Sequence, residues 1–309
     1  MYALANQSTS VVYALTLNYH PLSKSIVTYS RDCEEKSGEL MRLHGLKMRF
    51  EGLIRENRRP KALNDPAPEA ASLHWSVRRI NTLVKSLPAA STYLEIGVQH
   101  GSTLESIKIP FKWGVEPHPL FRLDSLTGGM RIFHGNSDDF FQTLNGNVAF
   151  DVVFLDGLHD WRQTYRDLVN TLNHSHSKTV ILIDDVVPND QYSALPIERE
   201  ALEARLAAGL PGLEWHGDVY KVILAIRDLH PNLDFRVIEN GADNPQAIIW
   251  QKDVGHPHAE TKESVLQEYS HIAYHDVFVG GETPPYFNVR SEDSAIEEVL
   301  TSLRTHESR

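Results

Sequence analysis

Cysteine is almost missing from this chain: Cys33 is the single one in 309 residues. An internal disulfide framework and a cysteine-rich metal centre are thereby excluded, and a reducing, cytoplasmic setting is expected. Basic charge is also in short supply, with 30 Lys and Arg against 41 Asp and Glu and a formal net charge of −11. Phosphate backbones and anionic membrane surfaces select basic footprints, so neither nucleic acid nor a membrane is an expected partner, and a small molecule is. Long apolar runs are absent as well. The stretch "VVYALTL" near the N-terminus is too short to span a bilayer, and no Lys or Arg precedes Lys24 to flank a secretory leader.

What the chain does have is alternation. The segment "MRLHGLKMRFEGLIRENRRP" reads as an amphipathic helix stopped at Pro60, "KALNDPAPEAAS" as a linker, and "HWSVRRINTLVKSL" as a helix ending at Pro88. From Thr92 onward short apolar runs alternate with helical ones: "TYLEIG", "FKWGVEP", "MRIFHG", "FDVVFLDG", "KTVILIDDV", "DFRVIEN" and "QAIIWQ". Near-continuous apolar strands separated by helices signal a sheet buried on both faces. The expectation is a doubly wound, mostly parallel, seven-stranded α/β domain over residues 71–251. Residues 1–70 would form a helical appendage. Residues 252–309, with helix-like pieces at "ESVLQEYSHIAYHDVF" and "DSAIEEVLTSL", would add no strand and pack on the domain, over the site or on a second copy in a homo-oligomer. The "HPH" at His256 to His258 lacks convergent partners and reads as solvated.

In open α/β sheets ligands sit outside the carboxyl ends of the strands, so strand-ending residues carry the candidate chemistry. The first strand closes in "EIGVQHGSTL", where Glu95, Gly97, Gly101 and Ser102 frame a tight strand-to-helix turn. Glu116 ends the second strand, about 20 residues beyond Glu95, where an acid holds a ribose hydroxyl pair. Ser137 and Asp138 lie at the end of the third. Gln99 and His100 occupy positions where a pyrophosphate needs bare backbone, so the pattern fits a nucleoside without phosphates better than a dinucleotide.

Asp156 ends the fourth strand, and Asp184 and Asp185 end the fifth. Neighbouring strands are about 4.8 Å apart, so these acids can converge. Carboxylates brought together need a cation, and oxygen donors suit Mg²⁺ or Mn²⁺. Successive strand residues point to opposite faces, so both Asp184 and Asp185 ligate only if the chain turns; otherwise one of them supports from behind. His159, three residues after Asp156, can accept a proton from a hydroxyl acidified by the metal. Asp160 reads as a helix N-cap. Trp161, Tyr192, Trp215 and Tyr220 read as packing residues when taken singly.

These motifs resemble the class I S-adenosylmethionine-dependent methyltransferases: "EIGVQHGS" is similar to their first motif and Glu116 to their ribose-binding acid. The set Asp156, His159, Asp184 and Asp185 resembles, more narrowly, the metal-dependent O-methyltransferases of natural-product sugars such as those of macrolides. The resemblance covers about residues 71–251. It implies a cofactor site of Glu95, Gly97, Gly101, Ser102, Glu116, Ser137, Asp138 and Asp156, metal ligands Asp156, Asp184 and Asp185, and His159 as general base. A relative that binds the cofactor with different chemistry is the alternative, and a nicotinamide-dependent oxidoreductase is disfavoured by the missing glycine pattern.

Overall fold

The structure, a computed structural model, describes residues 75–307 apart from 88, 127, 146–147, 240, 242–243 and 254–260. Cys33, the helix expected before Pro60, the linker after it and His256 to His258 lie outside the described residues. The described residues belong to one compact unit, 60–309.

Strands β1 (Thr92–Ile96), β2 (Phe111–Val115), β3 (Met130–Phe133), β4 (Val152–Leu155), β5 (Val180–Ile183), β6 (Leu233–Ile238) and β7 (Gln246–Gln251) form one sheet in the order β3-β2-β1-β4-β5-β7-β6, extended beyond β6 by β8 (Val289–Arg290). The first five run parallel and β7 is antiparallel to both its neighbours. This is the doubly wound, mostly parallel α/β architecture that the sequence pattern predicts. Each residue of β4 and of β5 is buried, which is why "VVFL" and "VILI" are unbroken apolar runs.

Helices α1 (Trp75–Ser86), α2 (Ser102–Ser106), α3 (Ser137–Thr143), α4 (Trp161–Asn173), α5 (Glu198–Ala207) and α6 (Lys221–Leu229) connect the strands. They are followed by α7 (Glu263–Ser270), α8 (Tyr274–Val277) and α9 (Glu292–Glu307). Helix α4 shows how local sequence sets the layer. The Asp160 side chain accepts from the Gln163 N–H at 3.0 Å as its N-cap, and Trp161, Tyr165, Leu168, Val169 and Leu172 recur at helical spacing to bury one stripe.

The C-terminal segment departs from expectation in one respect: it does add a strand. Val289 and Arg290 pair in parallel with Val237 and Ile238, and the Glu239 N–H donates to the Arg290 carbonyl. Two residues carry no apolar run, so the pattern gave no sign of them; they cover backbone groups that β6 would leave open at the sheet edge. The same segment is built into both faces of the core. Phe278 and Phe287 join the cluster around α4 and α6, while Ala295, Ile296, Val299 and Leu303 of α9 join Ile80 and Leu83 of α1 on the other face.

At the amino ends of the strands Asp151 acts as a staple. Its carboxylate accepts from the Ser91 and Thr92 N–H groups, both at 2.8 Å, from the Thr92 hydroxyl at 2.7 Å, and pairs with His176 at 3.1 Å. Burial favours the neutral acid, but these hydrogen bonds, led by that of His176, hold the carboxyl well below its ordinary range.

Candidate active site

The strand order reverses between β1 and β4, and the candidate residues gather at the carboxyl ends on either side of that point. Gly97 leaves β1 so close to β4 that a Cβ there would stand 1.9 Å from the Asp156 carbonyl oxygen. The turn then runs through Gln99, at φ 42°, to Gly101 before α2. Glu116 closes this turn from the tip of β2: one carboxylate oxygen accepts from the Gln99 N–H and the other from the His118 N–H, each at 2.8 Å. A carboxylate offers about four lone-pair directions, so two remain for the hydroxyls of a ribose.

The other cradle residues take different places. Glu95 is buried within the sheet, where its carboxylate accepts from the Tyr93 hydroxyl at 2.7 Å; burial pushes its pKa to about 8, opposed chiefly by that hydrogen bond. It lies behind the turn and supports it. Ser102 is exposed at the start of α2. Ser137 opens α3 and accepts from the Gln163 amide at 3.1 Å, and Asp138 lies 3.4 Å from the same amide and 3.6 Å from Arg166.

On the β4–β5 side three groups converge. His159 Nε2 is 3.0 Å from Asp185 Oδ2 and 3.7 Å from Asp156 Oδ1, and one ligand atom from each of the three lies within 4.8 Å of the others. Asp185 reaches the group because it sits at φ 62°, a left-handed conformation that turns the chain as β5 ends. Asp184 does not join them. Its Oδ1 accepts from the Asp185 N–H at 2.8 Å and the Asn244 amide at 2.6 Å, and its Oδ2 accepts from the Gln246 amide at 3.0 Å. The chain does turn, as joint ligation by the acidic pair would require, yet the turn brings Asp185 alone to the group, and Asp184 lies behind it, held by the Asp185 N–H, Asn244 and Gln246.

Burial raises both Asp184 and Asp185 above the ordinary carboxylate range; the charge of Asp185 adds to the rise at Asp184, and His159 restrains it at Asp185. At His159 burial opposes charge, but Asp185 and Asp156 outweigh it and push the imidazole up to about 10. A divalent cation among the same carboxylates would offset the charges that cause the rise.

His159 is held from outside by the segment 215–217. Its Nδ1 bonds the Trp215 carbonyl at 2.8 Å, leaving Nε2 to face the acids, and the Trp215 ring stacks on the imidazole at 4.6 Å with 23° between planes. A backbone acceptor on one ring nitrogen is the usual way an imidazole ligand or base is fixed in one tautomer. Trp215 thus belongs to the site, whereas Trp161 and Tyr220 are buried packing residues.

Behind the acids lies a polar layer that sequence reasoning missed. The guanidinium of the fully buried Arg79 bonds Glu292 of α9 at 2.9 Å, the Asn244 carbonyl at 2.8 Å and the Gln246 side chain at 3.0 Å. Gln246 also donates to Ser76 at 2.7 Å. These residues come from α1, β7 and α9, so no local spacing reveals them.

The donor set fits a hard divalent ion: two carboxylates converge, with the His159 imidazole beside them. The doubly wound sheet thus carries a turn closed by Glu116 on one side of the switch point and an acidic, histidine-bearing centre on the other. Residues 94–186, from β1 to just past β5, match the family described as "Methyltransferase domain".

Solved structures similar to this chain include cofactor-bound Rv0187 from MTB, at 18% identity over 60% of this chain and 83% of that one, TM-score 0.42. Others are the O-methyltransferase from Bacillus cereus in complex with SAH, at 16% over 65% and 90%, TM-score 0.42, and the O-methyltransferase TomG from Streptomyces achromogenes, involved in tomaymycin synthesis, in complex with SAM, at 16% over 60% and 82%, TM-score 0.40. No curated protein matches the sequence. Among the described residues no helix is long and apolar enough to cross a membrane.

Proposed function

We propose that the protein is an S-adenosylmethionine-dependent O-methyltransferase, assisted by Mg²⁺ or Mn²⁺, that acts on a hydroxyl of a small molecule of the class of secondary-metabolite sugars. The observation that carries the reading is the convergence of Asp156, His159 and Asp185 at strand ends, beside a turn whose Glu116 is poised for a ribose. Gly97, Gly101, Ser102, Glu116, Ser137 and Asp138 line or support the cofactor side, with Glu95 beneath them. Asp156 and Asp185 would hold the metal, with Asp184 behind; when bound, the metal supplies Lewis acidity that lowers the pKa of the acceptor hydroxyl.

The chain's own work is alignment and proton handling. The acceptor oxygen attacks the methyl carbon in line as the C–S bond of the sulfonium breaks, the electron pair stays on sulfur to give S-adenosylhomocysteine, and His159 Nε2 takes the hydroxyl proton. Trp215 keeps that nitrogen aimed at the acceptor.

Within this reading residues 71–251 are the catalytic domain, 1–70 a helical appendage and 252–309 an extension serving as lid or homo-oligomer contact. The setting is the cytoplasm, and no nucleic acid or membrane takes part.

The test is transfer of a labelled methyl group from S-adenosylmethionine to a panel of hydroxylated macrolide sugars, with and without EDTA. Label should appear on oxygen, stop with EDTA and return with Mg²⁺. Transfer indifferent to EDTA would refute the metal's role, and a melting temperature unmoved by S-adenosylhomocysteine would refute the cofactor.

A further inference from the structure

Resting on that reading of Asp156 and Asp185, we propose that Asn244 is a positioning residue that makes Asp185 a one-oxygen ligand and so selects Mg²⁺ or Mn²⁺ over Ca²⁺. The two oxygens of Asp185 have different neighbours. Oδ2 faces His159 at 3.0 Å, in the group where an ion fits, and Oδ1 accepts from the Asn244 amide at 3.0 Å. The same amide nitrogen donates to Asp184 Oδ1 at 2.6 Å. A primary amide has two N–H donors, and here each acid has one of them. The amide takes one lone pair of Oδ1 and fixes the carboxylate's orientation, so that Oδ2 is the oxygen Asp185 presents to the group where an ion fits.

The amide is itself held. The Asn244 backbone carbonyl accepts from the fully buried Arg79, which α9 anchors through Glu292. Asp184 is fixed on its other oxygen by Gln246, so it cannot swing to release the amide. Sequence distance from Asn244 to the acidic pair is bridged by β7 lying antiparallel against β5.

Coordination chemistry turns this geometry into selectivity. Mg²⁺ demands near-octahedral geometry at about 2.1 Å, which one-oxygen carboxylates satisfy, whereas Ca²⁺ takes six to eight oxygens at about 2.4 Å and readily uses both oxygens of a carboxylate. An Asp185 oriented to present Oδ2 therefore penalises Ca²⁺ more than Mg²⁺ or Mn²⁺. A purely structural Asn244 would instead affect all three ions alike, through the fold.

The experiment titrates the full-length protein and Asn244→Ala with Mn²⁺ and with Ca²⁺ by calorimetry, alongside an S-adenosylhomocysteine titration and a melting curve. The wild type should prefer Mn²⁺. Loss of a group that orients a metal ligand costs about 10–100-fold in affinity, and Asn244→Ala should lose that much for Mn²⁺. Its Ca²⁺ affinity should hold or rise, because Oδ1 is freed, and S-adenosylhomocysteine affinity should not change. Should the alanine variant fail to fold, Asn244→Ser, whose hydroxyl is too short to reach both acids, is held to the same outcome. Equal losses for the two ions, or no loss for Mn²⁺, overturn the proposal. A wild type that binds neither ion overturns the metal reading itself, and does so before any variant is made.

Discussion

The hold of segment 215–217 on His159 makes Gly217→Ala the most informative single change. Gly217 sits at φ 61°, and a Cβ placed there would stand 1.7 Å from the His159 carbonyl oxygen and 2.7 Å from its carbonyl carbon. Two costs add. Alanine in the left-handed region costs about 1–2 kcal/mol, and a methyl forced into packed backbone costs about 1–3 kcal/mol more. At about 2–4 °C per kcal/mol for a domain of this size, the melting temperature should fall by about 10 °C. The backbone that must yield belongs to His159, so Mn²⁺ affinity should fall as well. Gly209→Ala is the matched control, because Gly209 has a similar φ of 70° with nothing within 4 Å of the added Cβ. Differential scanning fluorimetry and Mn²⁺ titration on both variants separate the conformational cost from the clash. If Gly217→Ala melts no lower than Gly209→Ala and binds Mn²⁺ normally, the segment does not position His159.

Three further outcomes follow from named contacts. Glu116→Ala removes the acid that meets the Gln99 and His118 N–H groups, and a hydrogen bond to a charged group contributes about 1.5–3 kcal/mol, so calorimetry should show S-adenosylhomocysteine binding weakened by about 10–100-fold. Arg79→Met leaves Glu292 to Arg78 but unties Gln246 and the Asn244 carbonyl; leaving such buried acceptors unsatisfied costs about 1–3 kcal/mol, which urea unfolding should register. Asp151 has its carboxyl held low in the folded chain, so the unfolded chain takes up its proton first as pH falls; the staple's contribution is complete above the unfolded pKa of about 3.9 and lost below it. The gap in melting temperature between wild type and Asp151→Asn should therefore be widest near neutral pH and shrink as pH drops below about 4, and a gap that stays constant across that range refutes the linkage.

The parts of this molecule legible in its sequence are those with short-range signals. The unbroken runs that became β4 and β5, the Asp160 cap and the buried stripe of α4 each follow from burial or from a hydrogen bond within three residues. Strand ends gave Asp156, His159 and Asp185, because strand pairing brings the ends of β4 and β5 side by side. What could not be read depends on distant chain. Which of two adjacent acids faces the site turned on the left-handed conformation of Asp185 and on amides from Asn244, just before β7, and Gln246, at its start. Trp215 looked like any packing tryptophan until its carbonyl met His159 Nδ1. The two-residue β8 carries no pattern at all, being stabilised by the open edge of β6.

The central claim is that Asp156, His159 and Asp185 form a divalent-cation centre beside a nucleoside pocket. Its most direct test is a crystal structure of the protein with Mn²⁺ and S-adenosylhomocysteine, read by anomalous scattering at the manganese edge. The account predicts one strong peak within coordination distance of Asp156 and Asp185 Oδ2, with the ribose on Glu116 and Asp184 still bonded to Asn244. A peak elsewhere, or none at these carboxylates while the nucleoside is bound, would contradict it.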